Sequence, residues 1–248
     1  MSAELIVRRF GSLTCRVVQS ANLDTTQSLL VILNHGFGAS GEDLVDFAPW
    51  LMDASAVVSD RVRFVFPEAP IDLGPAGMPG GRAWWPINMA KLAEMNQTRD
   101  FSELTHLDPP GMQQATSLLA TAVQEMRQEW QLAESQCVLG GFSQGAMVST
   151  NLTLESALQP ALLVLFSGTL LHRERWRQLA QDHPGCPVLQ FHGDQDQILP
   201  IQPARELSEL LSTAGFSVEF QQFRGPHTIP MQALGRFQER LEQILADR

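Results

Sequence analysis

Two hydrophobic rhythms alternate along this chain. Residues 5–10 and 13–18 are β-rich and are separated by Gly11-Ser12, a pattern that predicts an antiparallel hairpin. Residues 29–33 then run apolar without a polar interruption, as a strand does when helices cover both faces of a parallel sheet. Comparable runs at 62–66, 137–139, 162–166 and 188–191, with a more alternating run at 218–223, bring the expected sheet to about eight strands. Helical spacing fills 43–52, 112–130, 146–154, 203–214 and 230–246 between them. Alternating strand and helix predicts an α/β fold: a mostly parallel central sheet with helices on both faces and a ligand site at the carboxyl ends of the strands.

The rhythm breaks at about 68–110. That stretch holds Gly74, Gly77, Gly80 and Gly81 with Pro75, Pro79, Pro86, Pro109 and Pro110, and it reads as a long loop insertion. It also carries Trp84-Trp85, Ile71, Leu73, Met78 and Met89, which a disordered linker rarely contains, so the expectation is an ordered excursion covering a pocket. No internal repeat interrupts the chain, and 248 residues with 44% apolar composition fit one domain spanning 1–248.

Charge narrows the function classes. Seventeen Lys and Arg against 27 Asp and Glu leave a net charge of −10, which offers no footprint for a phosphate backbone or an anionic membrane. Cys15, Cys137 and Cys186 are odd in number and widely spaced, so neither a disulfide framework nor a CxxC site is expected. Leu5-Ile6-Val7 is too short for a signal-peptide core and no membrane-length apolar run occurs, which points to a cytoplasmic protein without a stable membrane anchor.

The chemistry centres on Gly141-Phe142-Ser143-Gln144-Gly145, a G-x-S-x-G motif following an expected strand and opening an expected helix. In that context a serine sits on a sharp, strained turn with its hydroxyl projecting at a helix N-terminus, the placement of a nucleophile. A serine hydroxyl needs a base, and the base an orienting carboxylate. His227, just after the last expected strand, follows the acidic residues near 195 and is the candidate base. Two aspartates, Asp194 and Asp196, leave the end of the preceding strand; only one can face His227, and the other would cap backbone N–H groups. Asn34-His35-Gly36-Phe37-Gly38 follows the first buried strand, and its glycines let amides turn inward. The N–H groups of Phe37 and Gln144 are therefore the expected oxyanion-hole donors.

His35-Gly36-Phe37-Gly38, Phe66-Pro67-Glu68-Ala69-Pro70, the motif around Ser143, and His192-Gly193-Asp194-Gln195-Asp196, in this order, resemble the phospholipase/carboxylesterase family of α/β-hydrolases, which includes acyl-protein thioesterases and small bacterial carboxylesterases. The resemblance covers about residues 29–245 and implies the α/β-hydrolase fold. It further implies that Asp196 is the acid of a Ser143-Asp196-His227 triad. The chain departs from the family pattern in a stretch from Ile71 to Pro110 longer than in compact members, and in Thr228-Ile229-Pro230 after the histidine.

The expectation is a serine hydrolase cleaving carboxylic esters or thioesters through an acyl-enzyme, with no cofactor and no metal. Trp84, Trp85, Leu73, Ile198 and Leu199 are candidate substrate-wall residues. On an extended segment Trp84 and Trp85 point to opposite sides, so at most one faces the pocket and the other anchors the loop. The partner expected is a small ester or thioester, or an acylated protein, on a monomer or homodimer. An acyltransferase, a peptidase, and a ligand receptor on a hydrolase scaffold are the alternatives.

Overall fold

The computed structural model describes residues 3–98, 100, 101 and 103–248. In chain order its elements are β1 (Ala3–Phe10), β2 (Leu13–Ser20), β3 (Leu29–Asn34), α1 (Phe47–Ala54), α2 (Ala56–Arg61), β4 (Val62–Pro67), β5 (Ile71–Asp72), β6 (Arg82–Ala83) and α3 (Met89–Thr98). Then come α4 (Met112–Trp130), β7 (Cys137–Phe142), α5 (Gln144–Glu155), β8 (Leu162–Phe166), α6 (Arg173–Leu179), β9 (Pro187–Gly193), α7 (Ile201–Thr213), β10 (Ser217–Phe223) and α8 (Met231–Ala246).

Eight strands form one sheet in the order β1-β2-β4-β3-β7-β8-β9-β10. The β1–β2 and β2–β4 pairs are antiparallel, and every pair from β4 to β10 is parallel. Successive side chains of a strand alternate between faces, and the core divides accordingly. Leu30, Ile32, Leu139, Leu163 and Leu165 pack with α4, α5, α6 and α7 on one face. Leu29, Val31, Leu33, Val138 and Val164 pack with α1, α2 and α8 on the other. Burial on both sides explains why these strands read as unbroken apolar runs.

The 68–110 stretch holds more structure than a loop. It contains the β5–β6 hairpin, a 3₁₀ turn at Gly74–Ala76, the helix α3 and a second 3₁₀ turn at Leu104–His106. Helix α3 has good helix formers, Ala90, Lys91, Leu92 and Glu94 among them, but too few apolar positions to mark a face. Two further short helices, α2 and α6, also lacked a readable period; in α6 four of seven residues are Arg or Glu and Trp176 alone is buried. Among the described residues no helix is long and apolar enough to cross a membrane.

Candidate active site

The carboxyl ends of β3, β7, β9 and β10 carry the site. Strand β7 ends at Phe142 and α5 begins at Gln144, leaving Ser143 between them at φ 54° and ψ −117°. Such angles cost a non-glycine residue about 1–3 kcal/mol, and the neighbouring structure must hold them in place. Close approach does so: a Cβ on Gly141 or Gly145 would collide with the carbonyl oxygen of Asn34, so only glycine allows β7 and α5 to come this near β3. The Asn34 side chain completes the brace, donating to the carbonyl of Gly140 at 3.1 Å and to Ser149 Oγ at 2.9 Å.

The loop after β9 brings Asp196 beneath the loop after β10. Asp196 Oδ2 accepts a hydrogen bond from His227 Nδ1 at 2.6 Å, while its Oδ1 accepts the N–H groups of Ile198 at 2.9 Å and Leu199 at 2.8 Å. A second imidazole lies on the same carboxylate: His192 Nε2 is 3.3 Å from Oδ2 and donates to the Leu199 carbonyl at 2.7 Å. Burial alone would push the Asp196 carboxyl up. Hydrogen bonds from His192 and His227, attraction to the His227 imidazole and the Leu199 N–H outweigh it and hold the carboxyl well below the usual carboxylate range. Asp194 is exposed and instead accepts the N–H of Gly225 at 3.2 Å, tying the two loops together. With Nδ1 committed to Asp196, the His227 imidazole has its Nε2 edge left for other partners. Ser143 and His227 line one cavity, with no hydrogen bond between them.

The turn after β3 is held from behind. His35 is buried; its Nε2 accepts the N–H of Ala69 at 3.1 Å, so the proton sits on Nδ1 and is donated to the carbonyl of Gly36 at 2.8 Å. Burial lowers its pKa, and the ring is neutral at neutral pH. Gly38 donates to the Arg82 carbonyl at 2.8 Å and Arg82 donates to the Ala39 carbonyl at 2.9 Å, so β6 is stitched to this turn. Glu68 fixes β6 in turn, pairing with Arg82 at 2.8 Å and with Arg16 of β2 at 2.6 Å. The N–H groups of Phe37 and Gln144 donate to no acceptor among the described residues, and both residues line the cavity beside Ser143.

That cavity has a volume of about 430 Å³. Of the expected wall residues, Trp85, Ile198 and Leu199 line it, and Trp84 and Leu73 do not. Trp84 points the opposite way from its neighbour, is 1% exposed, and donates its indole N–H to the His35 carbonyl at 3.0 Å, so it anchors the turn. Leu73 is buried inside the hairpin bend, where its N–H donates to Gly81 and its carbonyl accepts from Met78. The sequence reading missed much of the apolar wall, including Leu92 and Met95 of α3, Leu104, Leu107, Met147 and Leu171. It also missed the side chain of Gln144, which accepts the N–H of Trp84 at 2.9 Å and donates to the carbonyl of Trp85 at 2.9 Å. Lys91 and Asp108 also line the cavity. Among the described residues no group of three His, Cys, Asp or Glu side chains is arranged to hold a metal ion.

A parallel sheet with one antiparallel end, an elbow serine after its central strand and an acid and histidine after later strands define an α/β-hydrolase. Solved structures share this fold. Esterase PE8 is 25% identical with a TM-score of 0.75, the match covering 94% of this chain and 99% of that one. The carboxylesterase from Mesorhizobium loti is 16% identical with a TM-score of 0.69, covering 98% and 99%. The chain belongs to the phospholipase/carboxylesterase family, whose model matches residues 13–245, and it is a hydrolase of the carboxylesterase and thioesterase type. Similar proteins include acyl-protein thioesterase 1 homolog 1 of Dictyostelium discoideum, 26% identical over 81% of this chain and 83% of that one. Acyl-protein thioesterase 1 of Kluyveromyces lactis is 30% identical over 70% and 72%.

Proposed function

We propose that this enzyme cleaves carboxylic esters or thioesters in two steps through an acyl-enzyme on Ser143. His227 takes the proton of the Ser143 hydroxyl through Nε2 as the oxygen attacks the acyl carbon, then gives it to the departing alcohol or thiol. Water, deprotonated by the same imidazole, releases the acid and restores the serine. Asp196 fixes the Nδ1–H tautomer and stabilises the imidazolium that forms in each step. The amides of Phe37 and Gln144 donate to the oxygen that becomes negative in each tetrahedral intermediate.

The observation that carries this reading is the 2.6 Å contact between a buried, ionised Asp196 and His227 Nδ1, on the same cavity as a strained Ser143. The apolar wall running from Trp85 to Leu92, Met95 and Leu104 suits a hydrocarbon acyl chain, and the resemblance to acyl-protein thioesterases supports a thioester among the substrates. A panel of p-nitrophenyl esters and alkyl thioesters of increasing acyl length tests it. Hydrolysis with a pre-steady-state burst of one leaving group per chain supports the acyl-enzyme. Absence of hydrolysis across the panel, or turnover that survives Ser143→Ala, contradicts it.

A further inference from the structure

The edge strand β1 is unusual for a sheet margin. Edge strands offer a row of unpaired N–H and C=O groups, and monomers blunt them with charged side chains, Lys above all, or with Pro, bulges or short length. The charges of β1, Glu4, Arg8 and Arg9, flank its middle and leave it uncharged. Here β1 is eight residues long, pairs with β2 residue for residue without a bulge, and contains neither Lys nor Pro. Its middle is three consecutive aliphatic residues, Leu5, Ile6 and Val7, exposed at 58%, 40% and 63%.

Hairpin geometry fixes which backbone groups face outward. Phe10 and Leu13 close the two-residue turn as a hydrogen-bonded pair, so Phe10, Arg8, Ile6 and Glu4 direct their N–H and C=O groups to β2. Ala3, Leu5, Val7 and Arg9 direct theirs away from the sheet. Side chains divide in the same parity: Arg8 lies on the α4 face, paired with Glu129, and Leu5 and Val7 lie on the opposite face.

From this we infer that two copies of the chain pair through antiparallel β1 edges about a two-fold axis at Ile6, joining two eight-stranded sheets into one. The register follows from the chemistry. A two-fold pairing must match outward residues with outward residues, which puts the axis at a residue and not between residues. An axis at Leu5 sets Glu4 opposite Ile6, and one at Val7 sets Ile6 opposite Arg8; each places a charge against an aliphatic side chain. An axis at Ile6 pairs Leu5 with Val7 in both directions, Ile6 with itself, and Glu4 with Arg8 of the second copy. Opposite charges and aliphatic pairs, the pairings that stabilise a sheet, then meet at every position from Glu4 to Arg8, with only the small Ala3 opposite a charge, Arg9, at each end.

The test is the mass of the full chain in solution by light scattering over a wide concentration range, with two variants and one cross-link. A dimer is expected for the natural chain. Ile6→Lys sets two ammonium groups face to face and should give a monomer. Val7→Pro removes an outward N–H that β2 does not use, so the fold should persist, checked by circular dichroism, while the dimer is lost; it carries the test if Ile6→Lys fails to fold. At the axis, facing Cα atoms of a non-hydrogen-bonded pair lie about 4.5 Å apart, within disulfide reach. On oxidation with diamide, which takes up the two thiol hydrogens, Ile6→Cys should cross-link two chains and Glu4→Cys should not, since Cys15, Cys137 and Cys186 are buried. A natural chain that is monomeric throughout overturns the proposal. So does a dimer that survives Val7→Pro, or cross-linking by Glu4→Cys in place of Ile6→Cys.

Discussion

The Gln144 carboxamide grips the backbone of the insertion at Trp84, accepting that residue's N–H at 2.9 Å through Oε1 while its Nε2 donates to the next carbonyl, at Trp85. The residue following the elbow serine thus holds both the turn and the cavity wall. Gln144→Ala leaves a buried N–H and a buried C=O unpaired and should cost about 2–4 kcal/mol, read as a lowered chemical-denaturation midpoint. Gln144→Glu keeps the acceptor for Trp84 but sets a buried carboxylate against the Trp85 carbonyl, and should lower the midpoint at least as far as Gln144→Ala. Midpoints equal to that of the natural chain would mean that the clamp carries no load.

The two tryptophans should separate in function. Trp84 is enclosed behind the turn that carries Phe37, and Trp84→Ala should lower stability by about 3–5 kcal/mol and reduce kcat for every ester alike. Trp85 lines the cavity, and Trp85→Ala enlarges it, so the acyl-chain profile should shift toward longer or bulkier chains. The ester panel reads this directly. An unchanged profile in Trp85→Ala, with the fold retained, would place substrate elsewhere.

The aspartates divide their labour. Asp196→Asn keeps the side-chain shape but offers His227 Nδ1–H no anion, and should lower kcat by about 10⁴-fold. Asp194→Ala loses one exposed-residue hydrogen bond to Gly225 and should cost about 1 kcal/mol with kcat changed far less. The reverse ranking of kcat, at equal folding by circular dichroism, would contradict the assignment.

Acid titration gives a further check. The Asp196 carboxyl is held below its ordinary range in the folded chain, so its contribution to stability is fully present above the unfolded value of about 3.9 and is lost as pH falls toward the folded one. The stability advantage of the natural chain over Asp196→Asn should therefore stay level from about pH 5 to 8 and shrink below about pH 4. A gap that already closes between pH 6 and 5 would place the carboxyl's pKa above its ordinary value.

Much of this could be read from the sequence because the relevant patterns are local. Residues 29–33 and 162–166 are apolar on both faces since helices cover both, and Ser143 is flanked by the glycines its turn requires. Asp196 and His227 follow strands whose ends are adjacent in the sheet. The unread parts depend on distant partners. Gln144 binds residues some sixty positions earlier, Asn34 binds Ser149, and His35 binds Ala69, and nothing in the composition around each announces the other. Trp84 and Trp85 showed their alternation but not which one faced inward, because that depends on His35 and Gln144. Helix α3 was hidden because its few apolar positions mark no face, and Leu92 and Met95 are turned inward by the cavity they line.

The central claim is that Ser143 is the activated nucleophile. Intact-mass spectrometry after incubation with a fluorophosphonate tests it most directly, because only a serine served by a base and an oxyanion hole reacts quickly. The account predicts a single adduct per chain, located at Ser143 by peptide mapping and absent from the folded Ser143→Ala and His227→Ala variants. A natural chain that gains no adduct, or one whose adduct persists in Ser143→Ala, would contradict it.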